Sequence, residues 1–252
     1  MSNTLKFGNG LWATKEGSTL AYNDENGNFK PLPFNFTRDT IATRVNKEGL
    51  IEVVGNNEPR IDFSNDSKGA LLLEPTRTNT ITYSENFSDA YWTKYQTSVS
   101  ANASISVDGN TNSDKIIEDT SNNTHQLGRL FSYNSGTSYT VSVFSKSNDR
   151  NLEIAAGNTG TFPINAVFDL SNGTVLSSAF GEASIENFGN GWYRCIVTAT
   201  ALASASTNIN FGLVNGSTLS YSGDGVSFIE LFGAQLEEGS YATSYIPTSG
   251  SI

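Results

Sequence analysis

The chain has 252 residues, a net charge of −10, 37% hydrophobic residues, one cysteine and one histidine. That acidic balance argues against a phosphate-tracking surface, and so against nucleic acid as a ligand. A lone cysteine excludes an internal disulfide, a lone histidine excludes a His-rich zinc site, and no apolar run is long enough for membrane insertion.

Charged residues make up only 16% of the chain, and 23 glycines stand among abundant Asn, Ser and Thr. This is the vocabulary of turns and strand faces, and no amphipathic helix of three turns can be read. The opening MSNTLKFGNG has no apolar signal core, so synthesis in a cytoplasm is expected.

Residues 1–75 hold Pro31, Pro33, Pro59 and Pro75 and short apolar groups: Leu5–Phe7, Leu11–Trp12, Leu20–Tyr22, Phe34–Phe36 and Leu50–Val54. Turns are expected at Gly8–Gly10, Asn26–Gly27, Pro31–Pro33 and Asn56–Asn57. Such a segment reads as short strands and extended arms that need another surface to finish a core. Leu71–Leu73 then forms a brief buried strand closed by Pro75.

From residue 76 to 252 the strands become regular. They are expected at Thr80–Tyr83, Ser98–Val107, Lys115–Glu118, Gln126–Phe131, Tyr139–Lys146, Leu152–Ala156, Ile164–Leu170, Thr174–Leu176, Ser184–Asn187, Trp192–Thr200, Asn208–Val214 and Val226–Leu236. Phe87–Trp92 reads as a loop with aromatic anchors. Alternation is clean in Trp192–Thr200, where Tyr193, Cys195, Val197 and Ala199 share one face. Many short strands with a turn every ten or so residues predict an all-β protein, a β-sandwich of jelly-roll type behind an extended N-terminal region.

A few residues carry possible chemistry. Cys195 sits on an apolar strand face and reads as a small buried hydrophobe. His125 reads as a polar strand-edge residue. In Val226–Leu236 the even positions are apolar except Glu230, which calls for an ion pair with Arg77 or Arg194, exposure at a sheet end, or a Ca²⁺ ion. Asp224–Gly225 reads as a hairpin turn or a second Ca²⁺ ligand; no other cofactor is expected. Arg38, Arg44, Arg60 and Arg77 lie beside short apolar segments and are expected to pin them through ion pairs. Catalytic motifs are absent, and the carboxylates Glu118, Asp119, Glu153, Asp169, Glu182, Glu186 and Glu230 show no obvious pairing for glycoside hydrolysis. No enzyme is expected.

Two resemblances follow from the wording. Asn79 with Phe87 and Trp92, then SYTVSVFSK, WYRCIVTAT and FIELFGAQLEEG, is similar in order to carbohydrate-binding jelly-roll modules appended to xylanases and glucanases. The strings FTRDTIATRVNKEGLIEVV, PRIDF, KGALLLEPTRTNTITYSENF, YWTK and GAQLEEGSYATSYIPT resemble tailed-bacteriophage virion structural proteins: head fibres, capsid decorations and tail-associated proteins. The second resemblance implies a place on the particle surface, with capsid or fibre subunits and further copies of this chain, as a dimer or trimer, for partners. It implies display of a jelly roll that binds host surface glycans weakly, or alternatively a purely structural cement or tail-associated role. Sugars stack on exposed aromatic rings while Asn, Asp and Arg bond their hydroxyls. Strand parity and loop position select Trp92, Tyr91, Tyr95, Phe144 and Trp192 as the rings for that task.

Overall fold

The computed structural model describes residues 3–5, 12–15, 18–23, 26, 28–31 and 36–251. The expected turns at Gly8–Gly10 and Leu32–Pro33, Gly27, and the apolar residues Phe7, Leu11 and Phe34 lie outside the described residues. The chain divides into two compact units. One comprises 1–76 with Thr243–Ile246, and the other 77–242 with 247–252.

The first unit holds β1 (Asn3–Leu5), β2 (Trp12–Lys15), β3 (Ser18–Asn23), β4 (Phe29–Pro31), β5 (Ala42–Val45), β6 (Ile51–Val54), β7 (Ile61–Asp62) and β8 (Ala70–Leu73). They form small antiparallel sheets, β1-β8-β7, β2-β3-β4 and β5-β6. The β5-β6 register places Arg44 opposite Glu52, and the two pair at 2.5 Å. Buried Arg60 pairs with Glu74 at 2.7 Å and donates to the Ser244 hydroxyl, also at 2.7 Å. Ser244 donates in turn to Glu74 through its amide and its hydroxyl, and Thr43 donates to the Tyr245 carbonyl. These bonds place Thr243–Ile246 with the first unit, whereas the sequence reading kept 76–252 together. Arg38 has backbone carbonyls for partners, those of Thr40, Val54 and Gly55.

The second unit is a jelly roll. Its strands are β9 (Thr93–Tyr95), β10 (Thr97–Ile105), β11 (Thr111–Glu118), β12 (Asn122–Tyr133), β13 (Ser138–Asn148), β14 (Asn151–Ala156), β15 (Ile164–Asp169), β16 (Thr174–Phe180), β17 (Glu182–Asn187), β18 (Trp192–Thr200), β19 (Ala205–Val214), β20 (Ser220–Ser222) and β21 (Phe228–Glu238). One sheet runs β10-β11-β21-β13-β18-β17 and the other β16-β15-β14-β19-β12-β20, with β9 also on β12. The inner strands alternate between sheets along the chain, which is the jelly-roll path. Between the layers lie Ile116, Leu127, Val141, Val143, Leu152, Ile154, Phe168, Val197, Phe211 and Leu231, all buried. Cys195 belongs to this core, and burial pushes its thiol well above its ordinary pKa.

Three expectations are corrected. Thr80–Tyr83 is not a strand; Asn79 turns it along β21 by accepting from the amides of Ile81 and Leu236 and donating to the Ala234 carbonyl. The parity of β21 is broken by an extra residue. Ser142 and Phe144 on β13 face Gln235 and Phe232, so two residues on β21, Gly233 and Ala234, answer Val143 alone on β13. Gly233 takes φ +62°, a conformation open to glycine, and accommodates the bulge. Ile229 and Leu231 therefore reach the core on odd positions, and Ala234 and Leu236 on even ones, while Val226 is exposed. His125 is buried, not at a polar edge, with Nδ1 and Nε2 at 2.9 and 3.3 Å from the carbonyl oxygens of Gln96 and Tyr221.

Candidate functional site

The outer face of the larger sheet carries the arrangement best suited to a ligand. Alternation along each strand sends Leu127, Ile154, Ala166 and Phe211 inward, so their neighbours in sequence face outward. Register then sets these outward residues in rows. One row runs Tyr95, Gln126, Gly212, Glu153, Val167 and Ser177; the next runs Thr93, Gly128, Asn210, Ala155, Asn165 and Phe180.

The glycines in these rows add no bulk of their own, and neighbouring side chains lie over them. A Cβ at Gly128 would come within 2.7 Å of Asn210 Oδ1 and 2.9 Å of the Tyr95 ring; one at Gly212 would come within 3.0 Å of Glu153 Oε2. Polar groups line this face. Asn165 Nδ2 donates to Glu153 Oε1 at 2.8 Å, and Asn208 Nδ2 donates to the Tyr95 hydroxyl at 3.4 Å. Asn210 Oδ1 is buried and lacks a hydrogen-bond partner. Burial of Glu153 raises its carboxyl pKa, and the Asn165 bond opposes that shift. Apolar surface stands at both ends: Tyr95 is 37% exposed, Leu130 59% and Phe180 40%. The strands bearing Tyr95 and Phe180 are about 24 Å apart, at about 4.8 Å per strand.

Of the five rings selected from sequence, Tyr95 alone joins this face. Trp92 is buried in the core, its Nε1 donating to the Tyr83 carbonyl at 3.0 Å, with Phe87 and Phe211 against its ring. Trp192 is buried too, and its Nε1 donates to the Ile105 carbonyl at 3.1 Å. Phe144 points away from the inter-sheet core as parity required, yet it is buried against Phe188 and Phe232 under the Arg194 guanidinium. No sugar can stack on these three, since their faces are already covered. Tyr91 is half-buried, and the Arg129 guanidinium lies 3.9 Å from its ring centroid.

The Ca²⁺ candidates are separated and engaged. The Asp224 carboxylate accepts from the amides of Val226 and Ser227 and from the Ser227 hydroxyl, and pairs with Arg150 at 3.3 Å; these contacts hold its pKa well down. Glu230 accepts from the Ser104 hydroxyl and stands opposite Lys115 and Lys146 in register, so neither expected arginine reaches it. Arg77 pairs with Glu237 at 3.8 Å, and Arg194 donates to the Ser142 hydroxyl. Among the described residues no three His, Cys, Asp or Glu side chains converge as a metal site would require.

Sequence reasoning missed a buried network around Glu118. Arg150 grips both its oxygens, Nε to Oε2 at 2.7 Å and a terminal nitrogen to Oε1 at 2.6 Å. The Tyr221 hydroxyl donates to Oε2 at 2.6 Å and the Asp224 amide to Oε1 at 2.9 Å. It also missed Gly128, Asn210, Gly212 and Asn165. Their one signal was a polar or glycine residue at every second position of strands whose other face is apolar.

No family model and no curated protein matches the chain. Three solved structures are similar at a distance. The enzymatically active domain of bacteriophage CBA120 tailspike protein 4 aligns at TM-score 0.40 and 13% identity, over 64% of this chain and 21% of that one. The CBM22-1–GH10 modules of Clostridium thermocellum endo-1,4-β-D-xylanase 10B, complexed with xylohexaose, align at 0.38 and 10%, over 68% and 29%. The K1 cleaved adhesin domain of Lys-gingipain from Porphyromonas gingivalis W83 aligns at 0.35 and 13%, over 67% and 100%. The chain thus spans less than a third of the first two. These are distant likenesses of β-sandwich architecture.

Proposed function

We propose that this chain is a virion surface protein of a tailed phage, a head fibre or capsid decoration, whose jelly roll binds host surface glycans. The observation that carries the glycan reading is the outer face of the larger sheet, where Gln126, Glu153, Asn165 and Asn210 lie in register rows. Tyr95 and Phe180 stand at its ends, and the buried Asn210 Oδ1 lacks a donor. A saccharide laid across the strands supplies what this surface lacks: hydroxyls for Asn210, Asn165, Gln126 and Glu153, and apolar C–H faces for the rings. The phage origin rests on the strings quoted above. Weak binding per copy is strengthened on a particle by display of many copies.

The role is binding without cleavage. Glu153 lies on this face, whereas glycoside hydrolysis uses a facing pair of carboxyls with one poised to donate a proton. Asp169 shares that face by parity but accepts from Ser171 and Asn172, which hold its pKa low and keep it from serving as an acid. A host-glycan array probed with purified protein, beside the Tyr95→Ala and Asn210→Ala variants, tests the reading. Retention of a glycan class that both variants lose is the expected result. A blank array at high protein concentration overturns the adhesive role and leaves structural cement.

A further inference from the structure

A second site lies inside the jelly roll, between its two sheets. β9 pairs with β12 only through Gln126–Gly128, so from Arg129 onward β12 has β19 on one side alone. At this opening is a cavity of about 250 Å³ with Ile81, Ile209 and Leu236 in its lining, Tyr91 and Arg129 on its wall, and exposed Glu238 at its rim.

Arg129 is out of place for an ordinary core position. It shares the inward parity of Leu127, where hydrophobic residues are the rule. Its guanidinium stacks on Tyr91 and donates to the Tyr91 carbonyl at 3.3 Å, while Nε is buried without an acceptor. A guanidinium offers five N–H donors in a planar fork that matches a carboxylate. Burial of an unpaired charged donor is unfavourable unless something accepts from it. The rest of the lining is largely apolar, and the volume falls below the usual range of small-molecule pockets, about 300–1,000 Å³. The single cation and the acidic rim favour one negative charge over the two of a phosphate.

We propose that this cavity binds a single carboxylate-bearing ring, with the carboxylate on Arg129 and the ring body against Tyr91, Ile209 and Leu236. A uronic acid at the end of a glycan and a free cyclic carboxylic acid share that chemistry. Leu130 and Ser132 border this cavity and the sheet face alike, but Tyr95, Gln126, Glu153 and Asn210 take no part in its lining, so its failure would leave the glycan reading of that face untouched.

The test is an NMR titration of the full chain that follows backbone amides and the arginine Nε–H signals. Methyl β-D-glucuronide, its neutral glucoside counterpart, cyclohexanecarboxylate and inorganic phosphate serve as probes. Saturable shifts at Arg129 Nε–H, Ile81 and Leu236 with the glucuronide are expected, with the glucoside weaker by about tenfold or more. Equal binding of cyclohexanecarboxylate also supports the site and assigns it to free acids; its failure assigns it to sugars. Arg129→Gln should lose the glucuronide shifts. Because that change could unsettle the fold, Glu238→Gln at the exposed rim is the second variant. It should tighten the glucuronide severalfold and leave the glucoside unchanged. Absence of shifts, equal affinity for the glucoside, tighter binding of phosphate, or shifts confined to Tyr95 and Asn210 would each overturn the proposal.

Discussion

Tyr95 leaves part of its ring in solvent because β9 is a three-residue strand bonded on one side, to β12, while the rest lies over Gly128. Tyr95→Ala should change stability by less than about 0.5 kcal/mol and lower glycan affinity about tenfold, read by thermal melt and by titration on an array-selected sugar. Asn210→Ala separates the two quantities further. It removes a buried oxygen without a donor, so the fold should be unharmed or slightly firmer while affinity falls. Glu153 links the face to pH. Its folded pKa is raised, so the stability it contributes is full below the unfolded carboxyl value and is lost as pH rises through the folded one. Glu153→Gln should therefore melt higher than the parent at pH 7, with the gap closing near pH 4. An unchanged gap across that range would refute the assignment.

At the level of strands, the Gly233 bulge sets the phase of β21. Gly233→Ala forces a side chain into a left-handed backbone and should cost about 1–2 kcal/mol in a urea melt. Arg150→Ala should cost more, about 3–5 kcal/mol, because it strands the buried Glu118 carboxylate between β11 and β20. These two features also mark where sequence reading ran out. Trp192–Thr200 was legible to the residue, and the inward set of Tyr139, Val141 and Val143 was as well, since one face of each strand meets the core. A single inserted residue in β21 reversed the phase, and alternation alone cannot locate it. The Glu118 network joins residues 103 positions apart, so no local pattern announces it. Burial of Trp92 and Trp192 turns on a carbonyl finding each indole N–H, and that depends on the folded chain. The polar sheet face was half legible: alternate polar positions were visible, but their grouping into rows comes from register.

On the scale of the whole chain, the proposed glycan reading makes copy number the variable that matters. Sensor-surface retention of an assembled oligomer should rise steeply with glycan density, while that of the monomer should follow it linearly. The first unit answers to a different residue. Ser244 both accepts from Arg60 and donates to Glu74, so Ser244→Ala should cost about 1–3 kcal/mol, seen as faster hydrogen exchange in Ala42–Val45 and Ala70–Leu73. The position of Ser244 also orders events at the ribosome. Translation delivers every strand of the jelly roll, through Glu238, before the segment that completes Arg60 and Glu74 leaves the exit tunnel. The amino-terminal portion is thus made first and finished last, and any polypeptide released early would present it unsealed to the proteases of the cell that makes it.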